Sequence, residues 1–369
     1  MKTQKRQKRK VGIPLTVVLL LLIFSCLFFY SLYSRYARNQ NATVILPPLA
    51  GKVAEPKHGA YLGVSLYDQN IDRLTTLEEN ISLHFAIVGI YQAWEGTHTS
   101  FDTTWAENVS YQHSIPLITW EPWLPVSGYD RSEDKVNQSK FRLTQITRGN
   151  FDSYIRTYAT AVKDYRGLVM IRFAHEMNGN WYPWGSTFNT PGEYIAAWRH
   201  VHDIFVQAGA TNVTWVWSPN ALYYDQHVPY TSQIDAFYPG DAYVDWVGFS
   251  AFNWAGQYKQ NVWTTPDNLF SPTVTALAKL HKPILIAETA SADTYSPEMK
   301  ANWIRELATY MKDMPSLKGV IWFNATDNGI DWRIQSTKTS QQAFSEAFDT
   351  YFIQTSTKPI LEMNKSVSN

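Results

Sequence analysis

Residues Met170–Gly185 read MIRFAHEMNGNWYPWG and place a histidine and a glutamate at the end of an apolar run. An ionisable group in apolar surroundings loses its hydration, which costs free energy unless the group is paired or neutralised. Glu176 therefore has two explanations. It is either a surface carboxylate held by Arg172 or His175, or a functional acid placed at the end of a strand. The rest of the chain decides between them.

Apolar runs of this kind recur along the chain at regular intervals. The eight runs begin at Ala60, His84, Ser114, Leu168, Val213, Val244, Pro283 and Gly319. Amphipathic segments separate them, and two of these segments start with a proline suited to a first helical turn, Pro191 and Pro297. Apolar strands that alternate with helices predict a parallel sheet, and eight such units predict a (β/α)8 TIM barrel. A doubly wound open sheet is the alternative, but its glycine-rich phosphate motif is missing after the first strand.

The predicted barrel gives Glu176 a definite position. Active sites of such barrels lie at the carboxyl ends of the strands, and Glu176 closes the fourth strand. Glu288 follows four apolar residues in the seventh strand, so the two acids face one another across the barrel mouth. Cleavage of a glycosidic bond needs two carboxylates arranged in this way. Glu121 on the third strand and Asp245 near the start of the sixth stay open as structural or functional acids.

Aromatic residues make up 15% of the chain, and many of them stand next to strand ends. Flat indole faces can stack on the C–H faces of sugar rings. Large aromatic side chains also pack in cores, and roughly half of these tryptophans are expected to do so. The candidate substrate-binding residues around the two acids are His175, Asn178, Trp181, Trp184, Trp254 and Trp322.

Other kinds of chemistry find no support in the sequence. There is no HExxH element, phosphate-binding glycine loop, CxxC pair or EF-hand loop, so neither a metal nor a cofactor is predicted. The Gly-x-Ser-x-Gly elbow of serine hydrolases is also missing. Because 32 basic residues balance 32 acidic ones, nothing indicates a nucleic-acid partner.

The amino-terminal segment differs from the rest in charge and hydropathy. Residues 1–10 form a basic flank with six positive charges, and residues 11–33 carry no charge at all. A spanning helix needs about 20 apolar residues, whereas the apolar part of a cleaved signal peptide has about 7–15. The sequence therefore predicts a single-pass signal-anchor helix in the cell membrane, with the catalytic domain outside by the positive-inside rule. A cleaved signal and a secreted protein are the alternative.

The remaining boundaries follow from composition. Residues 34–56 are polar, contain a proline pair and show no periodicity, which is typical of a linker. Residues 57–355 form the predicted catalytic domain, and residues 356–369 form a tail. The single cysteine, Cys26, lies in the apolar segment, so the exported domain has no disulfide and depends on its core.

Four motifs resemble glycoside hydrolase family 26, the β-mannanase and lichenase-like family: RFAHEMNGNWYPWG, ILIAET, VDWVGFSAFNW and IWFNATDNGIDWRI. The resemblance covers residues 60–352 and implies a (β/α)8 retaining endo-glycanase that acts on a polysaccharide without metal or organic cofactor. It implies that Glu176 is the general acid/base and Glu288 the nucleophile. It further implies that His175, Trp181 and Trp322 line the sugar subsites. The DWRI element at residues 331–334 is interpreted as a packing and salt-bridge element.

One position departs from the family pattern. Mannanases of the family commonly carry a tyrosine on the sixth strand whose hydroxyl hydrogen-bonds to the nucleophile, whereas this chain has Phe252. Loss of that donor would raise the pKa of the nucleophile, so either another donor compensates or turnover is low.

The substrate stays open, because FAHE and WYPWG are closer to the lichenase-like branch of the family than to the mannanases. Both β-mannan and mixed-linkage β-1,3-1,4-glucan fit. Two other functions remain. One is a catalytically weak, membrane-anchored polysaccharide-binding or exopolysaccharide-export accessory protein. The other is a transglycosylase with the same residues.

Overall fold

The structure is a computed structural model that describes residues 49–125, 136–222, 234–257, 263–294, 296–327, 329–348 and 351–353. The chain divides into two units at Leu46 and Pro47, and all the described residues belong to the second unit. The predicted basic flank, the predicted spanning segment 11–33 and the tail 356–369 lie outside the described residues. Within the described ranges, no helix has the length and apolar character needed to cross a bilayer.

Eight parallel strands form a closed barrel in the second unit. They are β1 (Ala60–Ser65), β2 (Ile87–Ala93), β3 (Ile115–Glu121), β4 (Val169–Phe173), β5 (Val213–Trp217), β6 (Trp246–Asn253), β7 (Ile284–Ser291) and β8 (Leu317–Phe323). Each strand pairs with the next, and β1 also pairs with β8, which closes the ring. Every apolar run of the sequence overlaps one strand, so the predicted eight-stranded parallel barrel is confirmed.

Helices cover the outside of the barrel. They are α1 (Ile71–Ile81), α2 (Thr103–Tyr111), α3 (Leu143–Thr147), α4 (Asp152–Tyr165), α5 (Pro191–Ala208), α6 (Pro266–Ala278), α7 (Pro297–Asp313) and α8 (Lys338–Ala347). Helices α5 and α7 begin at the two predicted prolines, and a capping box of Thr190 and Glu193 fixes the start of α5. Between β5 and β6, the part of the chain that is described holds two short 3-10 turns in place of a helix, Ile234–Phe237 and Asp241–Tyr243.

Short extended segments complete the fold. The hairpin of β9 (Thr326–Asp327) and β10 (Ile330–Asp331) follows β8, and β11 (Phe352–Ile353) pairs with the start of β1.

Strand alternation separates the interior of the barrel from the layer that packs against the helices. Leu117, Met170 and Leu285 belong to the interior cluster, whereas Ile171 and Ile284 belong to the outer one. Large interior side chains need small neighbours in so narrow a space. A Cβ added to Gly319 would lie 2.7 Å from Cδ1 of Leu285, for example.

Val53 closes the amino end of the barrel. It is 5% exposed and packs with the interior cluster. Its N–H donates to Oγ1 of Thr214 at 2.7 Å, and its carbonyl accepts from Nε1 of Trp246 at 3.0 Å. The last residues of the predicted linker therefore pack on the barrel, at the end opposite to the ends of β4 and β7 that lead to Glu176 and Glu288.

Candidate active site

A layer of polar side chains lies inside the barrel, near the carboxyl ends of the strands. The sheet register aligns Tyr91 of β2 with Thr119 of β3, and Thr119 with Arg172 of β4. Farther around the barrel, Ser250 of β6 pairs with Glu288 of β7. The contacts of Arg172 connect these two sides.

Arg172 is the centre of this layer and is 1% exposed. Its Nη1 donates to Oε2 of Glu288 at 2.8 Å and lies 3.5 Å from Oγ1 of Thr119, while its Nη2 donates to the hydroxyl of Ser250. Burial alone would lower the pKa of Arg172, but the adjacent Glu288 carboxylate raises it above its ordinary value. Arg172 is therefore a fixed cation that orients the Glu288 carboxylate.

A β-bulge turns Glu288 towards the inside of the barrel. Ala287 belongs to the interior cluster and Ile286 to the outer one, so simple alternation would send residue 288 outwards. However, Ile286 pairs with Phe249 while Glu288 pairs with the very next residue, Ser250. The register with β8 shifts at the same place. The additional residue in β7 thus lets both Ala287 and Glu288 face inwards.

The surroundings of Glu288 act on its charge in opposite directions. Burial raises the pKa of Glu288 above its ordinary value, and the nearby Glu176 carboxylate adds to the rise. The charge of Arg172 and hydrogen bonds from Arg172 and Tyr91 lower this pKa and so limit the increase. Burial also raises the pKa of Tyr91 far above its ordinary value, which makes this hydroxyl a neutral donor.

Glu176 stands on the turn that directly follows β4. The strand ends at Phe173, and both Ala174 and Glu176 have left-handed backbones, with φ of 43° and 54°. Non-glycine residues adopt this conformation rarely and at some cost, and such residues cluster at functional sites. The N–H of Glu176 donates to the carbonyl of Ser218 at 2.8 Å, which ties the turn to the end of β5.

The chain then folds back so that Trp181 reaches the acid. Nε1 of Trp181 donates to Oε2 of Glu176 at 2.7 Å. This approach depends on Gly179, because a Cβ there would lie 2.5 Å from the Trp181 ring. Asn178 braces the loop by exchanging two hydrogen bonds with the backbone of Asn220, at 2.9 and 2.8 Å. Asn178 is 2% exposed, so its amide supports the loop from within.

The two predicted acids and the histidine converge. A carboxylate oxygen of Glu176, a carboxylate oxygen of Glu288 and a ring nitrogen of His175 lie within 4.8 Å of one another. Two carboxylates and an imidazole are also a donor set for a metal ion. Here, however, Arg172 and Trp181 already donate hydrogen bonds to the two carboxylates, and the cationic guanidinium opposes a second cation at Glu288.

His175 brings a third acid, Glu121, into the site. Its Nδ1 lies 4.0 Å from Oε1 of Glu121, and Oε2 of the same carboxylate accepts a hydrogen bond from Nε1 of Trp123 at 3.2 Å. The His175 ring packs against Tyr182, with a centroid distance of 5.0 Å. Of the two acids that the sequence left open, Glu121 thus belongs to the site.

Asp245 belongs to the opposite end of the barrel. It pairs with Lys52 at 2.6 Å and accepts from the backbone N–H of Trp215 at 2.9 Å. These contacts make it a structural acid.

The four candidate tryptophans occupy two kinds of position. Trp181 is partly exposed next to Glu176, and Trp254 is partly exposed in the mouth of the barrel. Trp184 is fully buried and donates to the carbonyl of His175 at 2.6 Å. Trp322 is 1% exposed, packs against Trp303 in the helix layer, and donates to a backbone carbonyl at 2.9 Å. Trp184 and Trp322 therefore lie behind the cleft wall, and strand alternation explains the outward direction of Trp322.

Five aromatic rings form a wall at the mouth of the barrel, and only Trp254 among them was a predicted binding residue. Each ring contacts the next in the order Tyr67, Phe323, Phe252, Trp332 and Trp254, with centroid distances of 5.0–6.3 Å. Phe323 faces into the barrel where Trp322 faces out, and Tyr67 is 63% exposed at the mouth. Successive side chains of a strand point to opposite faces, and this alternation could have predicted that Phe323 rather than Trp322 faces the cleft.

Lys300 of α7 holds the DWRI element in place. Its side chain is buried, and its Nζ donates to the carbonyls of Asp331 and Arg333 and lies 3.2 Å from Oδ1 of Asp293. Arg333 pairs with Asp331 at 2.7 Å. The predicted packing and salt-bridge role of this element is confirmed.

A barrel with two carboxylates that face one another at its mouth is the arrangement expected of a glycoside hydrolase, and comparison with known proteins identifies the family. The model of Glycosyl hydrolase family 26 matches residues 106–348. The chain is 34% identical over 297 residues to Endoglucanase H of Acetivibrio thermocellus, across 79% of this chain and 30% of that protein. It is 33% identical over 92 residues to Mannan endo-1,4-beta-mannosidase A and B of Caldalkalibacillus mannanilyticus, across 23% of this chain and 16% of that protein.

A solved structure shares the fold. The GH26 beta-mannanase BoMan26A of Bacteroides ovatus superposes with a TM-score of 0.61 at 16% identity, across 81% of this chain and 91% of that one. The chain belongs to glycosyl hydrolase family 26. It spans less than a third of the length of Endoglucanase H.

Proposed function

We propose that this protein is a retaining endo-β-glycanase that hydrolyses internal β-1,4 bonds of a mixed-linkage β-1,3-1,4-glucan or a β-mannan. The spacing of the two carboxylates carries the proposal. Oxygens of Glu176 and Glu288 lie within 4.8 Å of each other. Retaining glycosidases hold their carboxyl groups about 5–5.5 Å apart, whereas inverting enzymes need about 6.5–9.5 Å to admit a water molecule.

Glu288 acts as the nucleophile. Arg172 stabilises its anionic form, and the bulge in β7 aims it into the mouth. Its carboxylate attacks the anomeric carbon while Glu176 donates a proton to the leaving glycosidic oxygen. The product of this step is a glycosyl ester on Glu288 and a shortened polymer.

Glu176 acts first as the acid and then as the base. After the leaving group departs, Glu176 takes a proton from a water molecule, which attacks the anomeric carbon and displaces Glu288. This second inversion restores the original configuration and both carboxyl groups. The hydrogen bond from Trp181 at 2.7 Å fixes one oxygen of Glu176 and leaves the other for the proton transfer.

Some of the other predicted site residues contact the substrate, and the rest support the site from within the protein. Trp181 and Trp254 are partly exposed and flank the sugar at the cleavage point. His175 is 1% exposed, so it supports the cleft from behind, between Tyr182 and Glu121. Asn178, Trp184 and Trp322 hold the surrounding loops and strands, because they are buried and their polar groups are engaged within the protein.

Mixed-linkage glucan is the first substrate to test. The similarity to Endoglucanase H extends over 297 residues, whereas that to the mannosidase covers 92. The FAHE and WYPWG motifs support the same choice.

The domain works outside the cell under this proposal. Residues 1–33 carry the charge and hydropathy pattern of a signal anchor, with a secreted form as the alternative. Membrane fractionation of the native host would show the protein in the membrane pellet if the anchor is retained, and in the medium if it is cleaved.

Substitution of each acid, followed by rescue with azide, tests the assignment. Glu176→Ala and Glu288→Ala should both abolish release of reducing sugar from lichenan and galactomannan. With an activated aryl glycoside, azide should give a β-glycosyl azide from Glu176→Ala and an α-glycosyl azide from Glu288→Ala, because the anion replaces a different partner in each. Full activity in either alanine variant would exclude these roles.

A further inference from the structure

The sixth strand offers no hydrogen-bond donor to Glu288 at the position where a tyrosine is commonly found. Phe252 stands two residues beyond Ser250, the backbone partner of Glu288. Its ring packs against Phe323 and Trp332, with centroid distances of 5.7 and 5.1 Å. A phenyl ring has no hydroxyl to donate, so the donors for this carboxylate come from other strands.

Tyr91 of β2 is such a donor. The register places it level with Thr119 of β3 and, through Thr119, with Arg172 of β4. Its ring contacts that of His175, a ring nitrogen of which lies within 4.8 Å of a Glu288 oxygen, so Tyr91 belongs to the same cluster. Hydrogen bonding from its hydroxyl lowers the pKa of Glu288. Edge contacts with Phe323 and His175, at centroid distances of 6.1 and 6.3 Å, hold the ring.

We propose that Tyr91 is a positioning residue for the nucleophile and supplies from β2 the hydrogen bond that Phe252 cannot make from β6. The inference rests on the proposed role of Glu288. Arg172 and Tyr91 bond to the carboxylate from two different strands, which fixes the plane of the carboxylate more firmly than one donor does. A fixed plane keeps the attacking oxygen aligned with the anomeric carbon.

The hydroxyl also affects the pH at which Glu288 ionises. The groups that act on this carboxylate are Arg172, Glu176 and Tyr91 itself, with His175 within 4.8 Å of both glutamates. Arg172 and Tyr91 lower the pKa of Glu288, whereas Glu176 raises it. Removal of the hydroxyl alone therefore raises the pKa, and the acid limb of kcat/KM moves to higher pH.

Tyr91→Phe in the full-length protein tests the proposal, because it removes the hydroxyl and keeps the ring contacts. Tyr111→Phe is the matched control, since Tyr111 is 49% exposed on α2. We expect kcat of Tyr91→Phe on lichenan to fall by about 10- to 100-fold with KM nearly unchanged. The acid limb should move upwards, while the control keeps wild-type kinetics.

A second variant protects the test against misfolding and separates positioning from packing. Tyr91→Phe/Phe252→Tyr returns one hydroxyl from the other side of Glu288, and it should recover kcat and move the acid limb back down. Tyr91→Phe/Phe252→Leu has no such donor and should recover neither.

Two results would overturn the inference. One is Tyr91→Phe kinetics within twofold of the control. The other is a loss of activity with an unmoved acid limb that Phe252→Tyr does not repair. In both cases Glu288→Ala must be inactive. If Glu288→Ala retains activity, the proposed function itself has failed instead.

Discussion

At the scale of single residues, the site is organised around one buried charge pair. Arg172 and Glu288 lie 2.8 Å apart inside the barrel, almost out of contact with solvent. A buried ion pair adds little net stability, but the loss of one partner leaves the other charge uncompensated. The pair therefore serves the geometry and ionisation of Glu288, the proposed nucleophile, more than the stability of the fold.

Arg172→Gln should lower kcat/KM on lichenan by about 100-fold or more, because it removes both a charge and a hydrogen-bond donor from Glu288, the proposed nucleophile. Since Arg172 lowers the pKa of Glu288, the variant should also show its acid limb at higher pH. A pH series of kcat/KM measures both effects. Arg156→Gln on the exposed face of α4 is the control. An unmoved acid limb in Arg172→Gln would contradict the electrostatic role of the pair.

The sequence predicted Glu176 and Glu288 because each ends an apolar run where an acid is out of place. It did not predict the roles of Tyr91, Arg172 and Ser250. Their meeting depends on the register between strands that are far apart in the chain, and no local pattern encodes that register. A charged residue at Arg172, within an otherwise apolar strand, was the one local signal.

At the scale of elements, the loop after β4 is as important as the strand. Gly179 lets the Trp181 ring cross close to the backbone and reach Glu176. The strands and the proline-started helices were predictable from local patterns. The bulge in β7 and the 3-10 turns between β5 and β6 were not, because tertiary pairing decides both.

Gly179→Ala should displace Trp181 and break its hydrogen bond to Glu176, because the new Cβ would lie 2.5 Å from the ring. We expect a loss of about 1–3 kcal/mol in the free energy of unfolding and a clear fall in kcat. Gly192→Ala near the start of α5 has no atom within 4 Å of its new Cβ and serves as the control. The free energy of unfolding is measured with urea, and kcat is measured from initial rates. Equal values for the two variants would refute the role of Gly179.

Lys300→Ala should destabilise the protein by about 3–5 kcal/mol, because it leaves Asp293 and the carbonyls of Asp331 and Arg333 without their cation. Lys279→Ala at the exposed end of α6 should change the free energy of unfolding by less than about 0.5 kcal/mol. The measurement is the urea midpoint of each variant. A midpoint for Lys300→Ala equal to that of the control would show that this buried lysine is dispensable.

At the scale of the whole molecule, the barrel has two ends with separate tasks. The carboxyl end holds Glu176 and Glu288, the two proposed catalytic acids, and Val53 closes the amino end. Sequence composition placed the start of the domain at residue 57, because the segment before it shows no periodicity. The contacts of Val53 form only when the barrel is closed, so no local sequence pattern predicts them.

Val53→Ala should lower the free energy of unfolding by about 1–3 kcal/mol and leave kcat unchanged at moderate temperature. The reason is that Val53 packs at the amino end of the barrel, whereas the proposed catalytic acids lie at the carboxyl end. Val206→Ala is the matched control, because Val206 is 56% exposed on α5. Thermal unfolding together with rates at 25 °C gives both quantities. A fall in kcat without loss of stability would contradict the separation of the two ends.

The stereochemistry of the first product tests the central claim most directly. Proton NMR during hydrolysis of lichenan by the wild-type protein follows the anomeric signal of the new reducing end before mutarotation. Glutamate oxygens within 4.8 Å of each other predict that the β-anomer appears first. Initial appearance of the α-anomer would mean direct attack by water, and it would contradict the roles proposed for Glu176 and Glu288.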